Sequence, residues 1–322
     1  MKVTDFYAQS SEPLISFEII PPKRGKSINS IFEALDQVMP YRPPFIDVTA
    51  HAAEAYYEEL DNGNIRRHIR RKRPGTIGLC AAIKHRYNVE PVPHILCKGF
   101  TREETEDALI ELNFLGIQNV LAIRGDDHGA PKPYNADRTI NEYAVDLVRQ
   151  VKRMNRGLYL EQLMEADKTN FCVGVGGYPE KHFEAPNLNW DILRLKEKVE
   201  AGADYIVTQM FFDNQKFFDF EAKCREAGIT VPIIPGLKLI TSYRQLTTLP
   251  RSFHLNIPEP LSHEISLKPD RARDIGIEWG VQQCQELLNH GVQGLHFYVM
   301  ANPSAVIDVL DHLKTGLKSR AV

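Results

Sequence analysis

The sequence predicts an α/β protein, a (β/α)8 TIM barrel that forms a single domain over residues 1–322. Short apolar runs alternate with longer amphipathic segments along the chain, which is the order of βα units. Most runs are nearly continuous in apolar residues, as in parallel strands that helices cover. Several joints between a helix and the next strand carry a glycine, as at Gly116, Gly202 and Gly228. A doubly wound sheet shares this alternation, so periodicity alone leaves that architecture open.

Eight apolar runs are the candidate strands. They cover residues 14–20, 45–49, 92–97, 119–124, 171–177, 204–209, 231–235 and 294–299. Eight strands are the number that closes a (β/α)8 barrel. A further apolar run, residues 76–83, is a candidate for a ninth strand or for a buried connection.

The helices between these strands have recognisable ends. Thr101 and Glu104 form a capping box that opens one helix, and Gly116 closes it. Three more helices are predicted over about residues 189–202, 217–228 and 271–291, each ending at a glycine. Residues 152–170 and 251–270 lack a clear period, and we expect irregular structure there. No linker rich in glycine, serine or proline divides the chain, which favours one domain.

The charge of the chain does not indicate a nucleic-acid partner. Its net charge is -3, so the composition gives no reason to expect nucleic acid. Residues 66–73 (RRHIRRKR) are a local basic run without interleaved aromatic residues, and we interpret them as a solvated helix end.

The cysteines and the apolar segments indicate a cytoplasmic protein. The five cysteines are scattered without a Cys-x-x-Cys pair, so we interpret them as reduced and structural. The N-terminus lacks an apolar signal core, and no apolar stretch approaches the roughly 18 residues of a membrane span. We therefore expect a soluble protein with no membrane partner.

Polar residues at the ends of the predicted strands are the candidates for chemistry, because a barrel places its active site there. Glu18 lies in an apolar strand, where burial raises the pKa of a carboxyl toward that of a usable acid; the alternative is a structural glutamate paired with an arginine. Asp126 follows Gly125 and is either a ligand contact or a helix cap. His94 is either a ligand contact or a core histidine. Other polar strand-end residues are Asp47, Thr49, Arg124, Tyr178, Gln209, His296 and Tyr298.

The sequence lacks the motifs of several common enzyme classes. No histidines have zinc-hydrolase spacing, and no metal site is expected. The glycines of residues 174–177 are followed by Tyr178 and Pro179, and they form neither a dinucleotide fingerprint nor a phosphate loop. A Gly-x-Ser-x-Gly elbow is also missing. Any redox cofactor therefore binds without a Rossmann domain.

At these positions the chain resembles methylenetetrahydrofolate reductases over almost its whole length. The matching stretches are SFEIIPPK (16–23), Pro93-His94, LAIRGD (121–126), GYPEKH (177–182), AGADYIVTQMFFD (201–213), Pro235-Gly236 and HFY (296–298). Each string is short, but their shared order and spacing are specific. The resemblance implies a (β/α)8 barrel with FAD at the carboxyl ends of the strands.

The resemblance also implies roles for individual residues. Glu18 and Asp126 are the catalytic candidates. The residues implied to contact FAD are Thr49, Ala52, His94, Arg124, Gly125, Asp126, Ala144, Tyr178, His182, Ala185, Asp191 and Lys198. Those implied to bind substrate are Gln209, Gln245 and Tyr298, with Gln209 also serving the nicotinamide. Asp126 near the flavin would favour hydride release.

The implied reaction has two halves. NADH or NADPH reduces FAD, and methylenetetrahydrofolate then receives the hydride and becomes 5-methyltetrahydrofolate, with Glu18 helping to protonate the folate. Family members are usually dimers or tetramers, so we expect a homo-oligomer. Since the chain ends at Val322, we expect no C-terminal regulatory domain for S-adenosylmethionine of the eukaryotic kind.

Three departures from the family pattern lie on the substrate side. Ala50 stands where an aromatic residue is common, Leu249 stands where a substrate-stacking phenylalanine is often found, and Asn302 stands where many relatives carry an arginine suited to the folate tail. Two alternatives therefore stay open. One is a flavin reductase of the same fold that uses another pterin carrier or a partner protein as electron donor. The other is a non-catalytic flavin-binding subunit.

Overall fold

The computed structural model describes residues 1–125, 139–300 and 302–319. Its strands are β1 (Leu14–Ile19), β2 (Phe45–Val48), β3 (Glu54–Glu59), β4 (Ile65–Arg70), β5 (Glu90–Leu96), β6 (Asn119–Ile123), β7 (Cys172–Gly177), β8 (Tyr205–Thr208), β9 (Ile233–Ile234), β10 (Gly236–Leu237) and β11 (Gly294–Met300). Its α-helices are α1 (Val3–Gln9), α2 (Asn29–Val38), α3 (Thr76–Tyr87), α4 (Arg102–Phe114), α5 (Ala144–Met154), α6 (Leu188–Glu200), α7 (Asn214–Glu226), α8 (Gln245–Phe253), α9 (Glu259–Leu267), α10 (Ala272–His290) and α11 (Ser304–Ser319).

The main sheet is a closed parallel barrel. Its strand order is β10-β11-β1-β2-β5-β6-β7-β8-β9. β9 and β10 flank Pro235 and are the two halves of one barrel strand, since β9 pairs with β8 and β10 pairs with β11. The barrel therefore has eight strands, one in each of the eight predicted runs. The predicted (β/α)8 fold is confirmed, and the doubly wound alternative is excluded.

The core forms two layers because side chains alternate along each strand. Outward residues such as Phe17, Ile46 and Val120 are fully buried beneath the helices. Inward residues such as Phe45 and Tyr205 fill the lower half of the barrel.

Helix α1 covers the amino-terminal end of the barrel. Its Tyr7 packs on Phe45 with ring centroids 6.3 Å apart. The backbone N–H of Val3 donates to Asn119 Oδ1 at 2.8 Å. Because this end is covered, the opposite end of the strands is the open mouth.

Several local predictions can be compared with the structure directly. The capping box of α4 is confirmed, since the Glu104 N–H donates to Thr101 Oγ1 at 3.1 Å and the Thr101 N–H donates to Glu104 Oε2 at 2.9 Å. The five cysteines are free and buried, as predicted. Among the described residues, no helix combines the length and apolarity that crossing a bilayer requires.

Of the two alternatives for residues 76–83, a ninth strand or a buried connection, the ninth strand is wrong. This segment forms most of α3, which starts after Gly75 at a φ of 101°. Its buried residues Leu79, Cys80 and Ile83 have helical spacing and face the barrel. A short apolar run does not distinguish helix from strand until its packing partner is known.

The interpretation of residues 66–73 as a helix end is also wrong. Residues 65–70 form β4, which pairs antiparallel with β3 in a separate two-stranded sheet. Glu54 lies opposite Arg70, and Glu58 lies opposite Arg66. Opposite charges on facing strands stabilise such a pair, so the basic run forms a strand because an acidic one lies beside it.

The irregular segments are predicted with mixed success. The chain after Met154 is irregular up to β7, as expected. Residues 251–270 instead contain the end of α8, the helix α9 and a 3₁₀ turn (Pro269–Arg271). Helix α9 forms because its buried residues Leu261 and Ile265 pack in a cluster that includes Leu249.

Candidate active site

A layer of buried polar side chains lies at the mouth of the barrel. β1 contributes Glu18, β2 contributes Asp47, β5 contributes His94, and β11 contributes His296 and Tyr298. In the ladder, Glu18 pairs with Asp47 on one side and with Tyr298 on the other. Neighbouring parallel strands therefore deliver these groups to one level of the interior.

Glu18 is a nearly buried carboxyl, with 7% of its surface exposed. Burial raises its pKa to about 7; His94 and Lys238 oppose this rise, and Asp47 adds to it. The expectation that burial raises the pKa of Glu18 is thus confirmed. Within the described residues, the basic side chain next to this carboxyl is His94, with Glu18 Oε2 3.4 Å from His94 Nε2, and not the arginine that a structural role predicts.

His94 also faces a second carboxyl. Its Nε2 lies 3.5 Å from Asp47 Oδ1, and Asp47 Oδ2 lies 4.0 Å from His296 Nδ1. Within the described part of the chain, the two Asp47 oxygens and His94 Nε2 are buried without a hydrogen bond. Burial raises the pKa of Asp47 well above its usual range and lowers the pKa of His94. It lowers the pKa of His296 to about 3. The uncharged forms are therefore favoured throughout this layer.

Tyr298 and Lys238 form one wall beside Glu18. Tyr298 donates its hydroxyl to the Thr208 carbonyl at 2.6 Å, and Lys238 Nζ donates to the Tyr298 carbonyl at 2.8 Å. Both residues border a cavity of about 420 Å³ that also reaches Asn302. Tyr298, a predicted substrate residue, therefore lies at an opening next to the candidate acid.

A larger cavity of about 560 Å³ lies on the β6 and β7 side of the mouth. Seven of the residues implied to contact FAD line it: Arg124, Ala144, Tyr178, His182, Ala185, Asp191 and Lys198. They come from the ends of β6 and β7, from the loop after β7, and from α5 and α6. The barrel thus collects residues that are up to 74 positions apart in the sequence, from Arg124 to Lys198.

Basic and polar groups surround this larger cavity. Arg124 Nη2 donates to Glu184 Oε1 at 2.7 Å, which raises the pKa of Arg124. Lys198 Nζ donates to the Gly176 carbonyl at 2.8 Å, and burial lowers the pKa of Lys198 to about 8. Asp191 Oδ2 accepts from the His182 N–H at 2.7 Å and fixes the loop after β7. Of these groups, Arg124 and Lys198 are the positively charged donors that suit an anionic ligand.

Four other residues implied to contact FAD, Thr49, Ala52, His94 and Gly125, are not among the residues that line this cavity. His94 borders a third cavity of about 230 Å³, together with His51. Thr49 Oγ1 lies 3.2 Å from His51 Nε2 at the end of β2. An added Cβ on Gly99 would come within 2.7 Å of the Ala52 Cβ, so the backbone approaches Ala52 closely. Gly125 follows β6 at a φ of 84°, which favours glycine. Asp126 lies outside the described residues.

Two predicted substrate residues, Gln209 and Gln245, are engaged in their own loops. Gln209 Oε1 accepts from the Met210 N–H at 2.9 Å. Gln245 Oε1 accepts from the Thr241 N–H at 2.6 Å and from the Ser242 N–H at 3.0 Å. Their amide NH2 groups are the atoms left for a ligand, and their binding roles stay predictions.

The sequence interpretation does not include two residues that the structure places at the site. Lys238 follows the short strand β10, and nothing in its local pattern distinguishes it. Glu184 lies in the loop after β7, where a single glutamate carries no signal. Asp47 could be recognised from the sequence, because a charged residue in the apolar strand FIDV is unusual.

Comparisons with known proteins agree on one family. The family model of methylenetetrahydrofolate reductase matches residues 2–314. Methylenetetrahydrofolate reductase 2 of Saccharomyces cerevisiae is 31% identical over 324 residues, which cover 97% of this chain and 50% of the yeast protein. The 5,10-methylenetetrahydrofolate reductase of Buchnera aphidicola is 30% identical over 289 residues, which cover 89% of this chain and 86% of that protein. The chain spans about half the length of the eukaryotic relatives it matches, such as the yeast protein and methylenetetrahydrofolate reductase (NADH) 1 of Arabidopsis thaliana.

Solved structures share the architecture at low sequence identity. A Clostridium thermocellum protein that binds two copies of 5-methyl-5,6,7,8-tetrahydrofolic acid matches with a TM-score of 0.59 and 12% identity, covering 97% of this chain and 99% of that one. Oxaloacetate acetylhydrolase matches with a TM-score of 0.51 and 7% identity. At such identities the likeness shows the barrel fold alone.

Proposed function

Because the chain belongs to the methylenetetrahydrofolate reductase family, we propose that it reduces 5,10-methylenetetrahydrofolate to 5-methyltetrahydrofolate with FAD as cofactor and NADH or NADPH as electron donor. The observation that carries this proposal is the position of Glu18. It is a buried carboxyl with a pKa raised to about 7, and it faces the barrel mouth among His94, Asp47 and Tyr298. A general acid is most effective when its pKa lies near the working pH.

We assign the adenosine diphosphate half of FAD to the cavity of about 560 Å³. Its volume lies within the range of small-molecule pockets. Arg124 and Lys198 supply positive charge for a diphosphate, and His182 supplies a ring nitrogen. A Cβ on Gly176 would meet only the Tyr178 hydroxyl, at 4.0 Å, so this glycine leaves open space for a ligand. Bound FAD supplies a hydride carrier between the nicotinamide and the folate.

Glu18 would supply the proton that opens the folate ring. About half of the molecules carry this proton at pH 7, because burial raises the pKa of Glu18 to about 7. Transfer of that proton to a nitrogen of the five-membered folate ring weakens the bond between the nitrogen and the bridging carbon. The carbon then becomes a stronger hydride acceptor. Tyr298 and Lys238 line the neighbouring cavity and would orient the substrate beside this acid.

The proposal is tested by anaerobic stopped-flow absorbance of the flavin in wild type and Glu18→Gln. We expect NADH or NADPH to bleach both proteins, and we expect methylenetetrahydrofolate to reoxidise only the wild type at a normal rate. Loss of a positioned acid costs about 10²–10⁴-fold in rate. The control is Glu12→Gln, which changes an exposed glutamate ahead of β1 and should behave as wild type.

Two outcomes would overturn the proposal. Normal folate-dependent reoxidation of Glu18→Gln with bound FAD would remove Glu18 from the mechanism. A wild-type protein whose bound flavin neither nucleotide bleaches would favour the alternative of a reductase that takes electrons from a partner protein. The relatives do not decide the donor, since those of Arabidopsis thaliana and Caenorhabditis elegans are named for NADH and NADPH, respectively.

A further inference from the structure

We propose that Trp190 stacks on the adenine ring of FAD and so makes the cavity of about 560 Å³ selective for FAD over FMN. This role rests on the proposed function, because it concerns the cofactor of that reaction. Trp190 is not among the residues that the family resemblance implies for FAD. FMN is the matched comparison, since it has the flavin and one phosphate but lacks the adenosine.

Trp190 lies at the rim of the barrel mouth. It is in the first turn of α6 and borders the cavity. Asn187 caps this helix, since its Oδ1 accepts from the Trp190 N–H at 2.9 Å. α6 follows β7 through a loop at the carboxyl end of the strands, so its first turn lies at the same end of the molecule as the mouth. The indole is therefore beside the mouth but outside the ring of strands.

The barrel sets the direction in which FAD would lie. The flavin has to reach the candidate acid at the mouth, and Arg124 and Lys198 supply positive charge for the diphosphate. The adenosine then lies beyond the diphosphate, toward the outer helices. Both tyrosines of the cavity, Tyr143 and Tyr178, lie near Arg124. Trp190 is the large aromatic residue that the cavity offers on the side of α6.

The indole of Trp190 is exposed and held in one orientation. Although it is a large apolar residue, 47% of its surface is accessible. Arg194, one helical turn later, lies over it with Cζ 4.8 Å from the ring centroid. Arg194 Nη1 donates to Glu197 Oε2 at 2.8 Å, which restrains the guanidinium. The opposite face of the indole is left for a planar ring, and a base that stacks on an aromatic side chain gains about 5–150-fold in affinity.

The first test compares the binding of FAD and FMN by equilibrium dialysis of the flavin-free protein. We expect Trp190→Ala to bind FAD about 5–150-fold more weakly than wild type and to bind FMN as wild type does. Trp190→Phe keeps an aromatic face and should retain most of the FAD affinity. The control Leu193→Ala removes another exposed apolar side chain of α6, one that does not border the cavity, and should bind both flavins as wild type does.

Tryptophan fluorescence gives a second readout that needs no flavin. The chain has two tryptophans, and the other one, Trp279, donates its Nε1–H to the Phe212 carbonyl at 3.0 Å. ADP carries the adenine ring without the flavin, and stacking on adenine quenches indole fluorescence. We expect ADP to quench the fluorescence of the flavin-free wild type but not that of Trp190→Phe, whose signal comes from Trp279 alone.

The outcomes separate stacking from a structural role of Trp190. Equal FAD affinity of wild type and Trp190→Ala would refute the stacking. A loss of FMN affinity as large as the loss of FAD affinity would also refute it, since that pattern indicates a damaged cavity. ADP quenching that persists in Trp190→Phe would place the adenine elsewhere. A wild type that binds neither flavin would instead refute the proposed function, and the role of Trp190 with it.

Discussion

The buried carboxyl of Glu18 should make the protein less stable at alkaline pH, and Glu18→Gln should remove this loss. The folded protein raises the pKa of Glu18 from 4.5 to about 7, chiefly by burial. One pKa unit corresponds to about 1.4 kcal/mol, so the folded state prefers protonated Glu18 by about 3 kcal/mol. Glutamine keeps the shape of the protonated group and carries no charge at any pH.

The pH window follows from the two pKa values. The folded state binds the Glu18 proton more tightly than the unfolded state does, so this contribution to stability is fully present below pH 4.5. It falls as the pH rises toward about 7, and it is lost above that value. Glu18→Gln should therefore match wild type in mild acid and exceed it by up to about 3 kcal/mol in mild alkali.

The measurement is urea unfolding of both proteins across this pH range, followed by circular dichroism. Glu33→Gln, a change at an exposed position of α2, is the control and should stay within about 0.5 kcal/mol of its parent at every pH. A stability difference between wild type and Glu18→Gln that is the same in acid and alkali would refute the reasoning. So would a Glu18→Gln protein that is less stable throughout.

Three further predictions concern the cofactor cavity and the barrel scaffold. Lys198→Met should bind FAD at least about tenfold more weakly in equilibrium dialysis, because a hydrogen bond to a charged group contributes roughly 1.5–3 kcal/mol. The control Lys196→Met, on the solvent side of α6, should bind FAD as wild type does. Equal FAD retention by the two variants would remove Lys198 from the site. Gly176→Leu should fill the cavity and abolish FAD retention while the far-UV spectrum stays unchanged, and a yellow purified variant would contradict this. Thr101→Ala should lower the free energy of unfolding by about 1 kcal/mol through loss of the α4 cap, and an unchanged urea midpoint would contradict the cap.

The barrel strands could be predicted from the local sequence because the patterns that define them, apolar runs and helix ends, extend over only a few residues. Each apolar run is long enough for one strand, and the caps and glycines that flank it end the neighbouring helices. Glu18 could be selected as a candidate in the same way, since a carboxylate between Phe17 and Ile19 in a buried strand must be desolvated wherever that strand packs. Its catalytic role was implied only by the family resemblance. The strand-end rule then placed Arg124 and Tyr178 at the mouth.

Long-range packing decided what local patterns left ambiguous. Residues 76–83 are apolar enough for helix or strand, and contact with β2 and β5 selects the helix α3. Residues 66–70 of the basic run form a strand that pairs with the acidic strand β3, which lies beside them. The distances of His94 Nε2 from Glu18 and Asp47 depend on strand register, which pairs Glu18 with Asp47 and sets His94 one residue beyond the end of the pairing between β2 and β5. Register is a property of the closed barrel, since it depends on every strand around the ring.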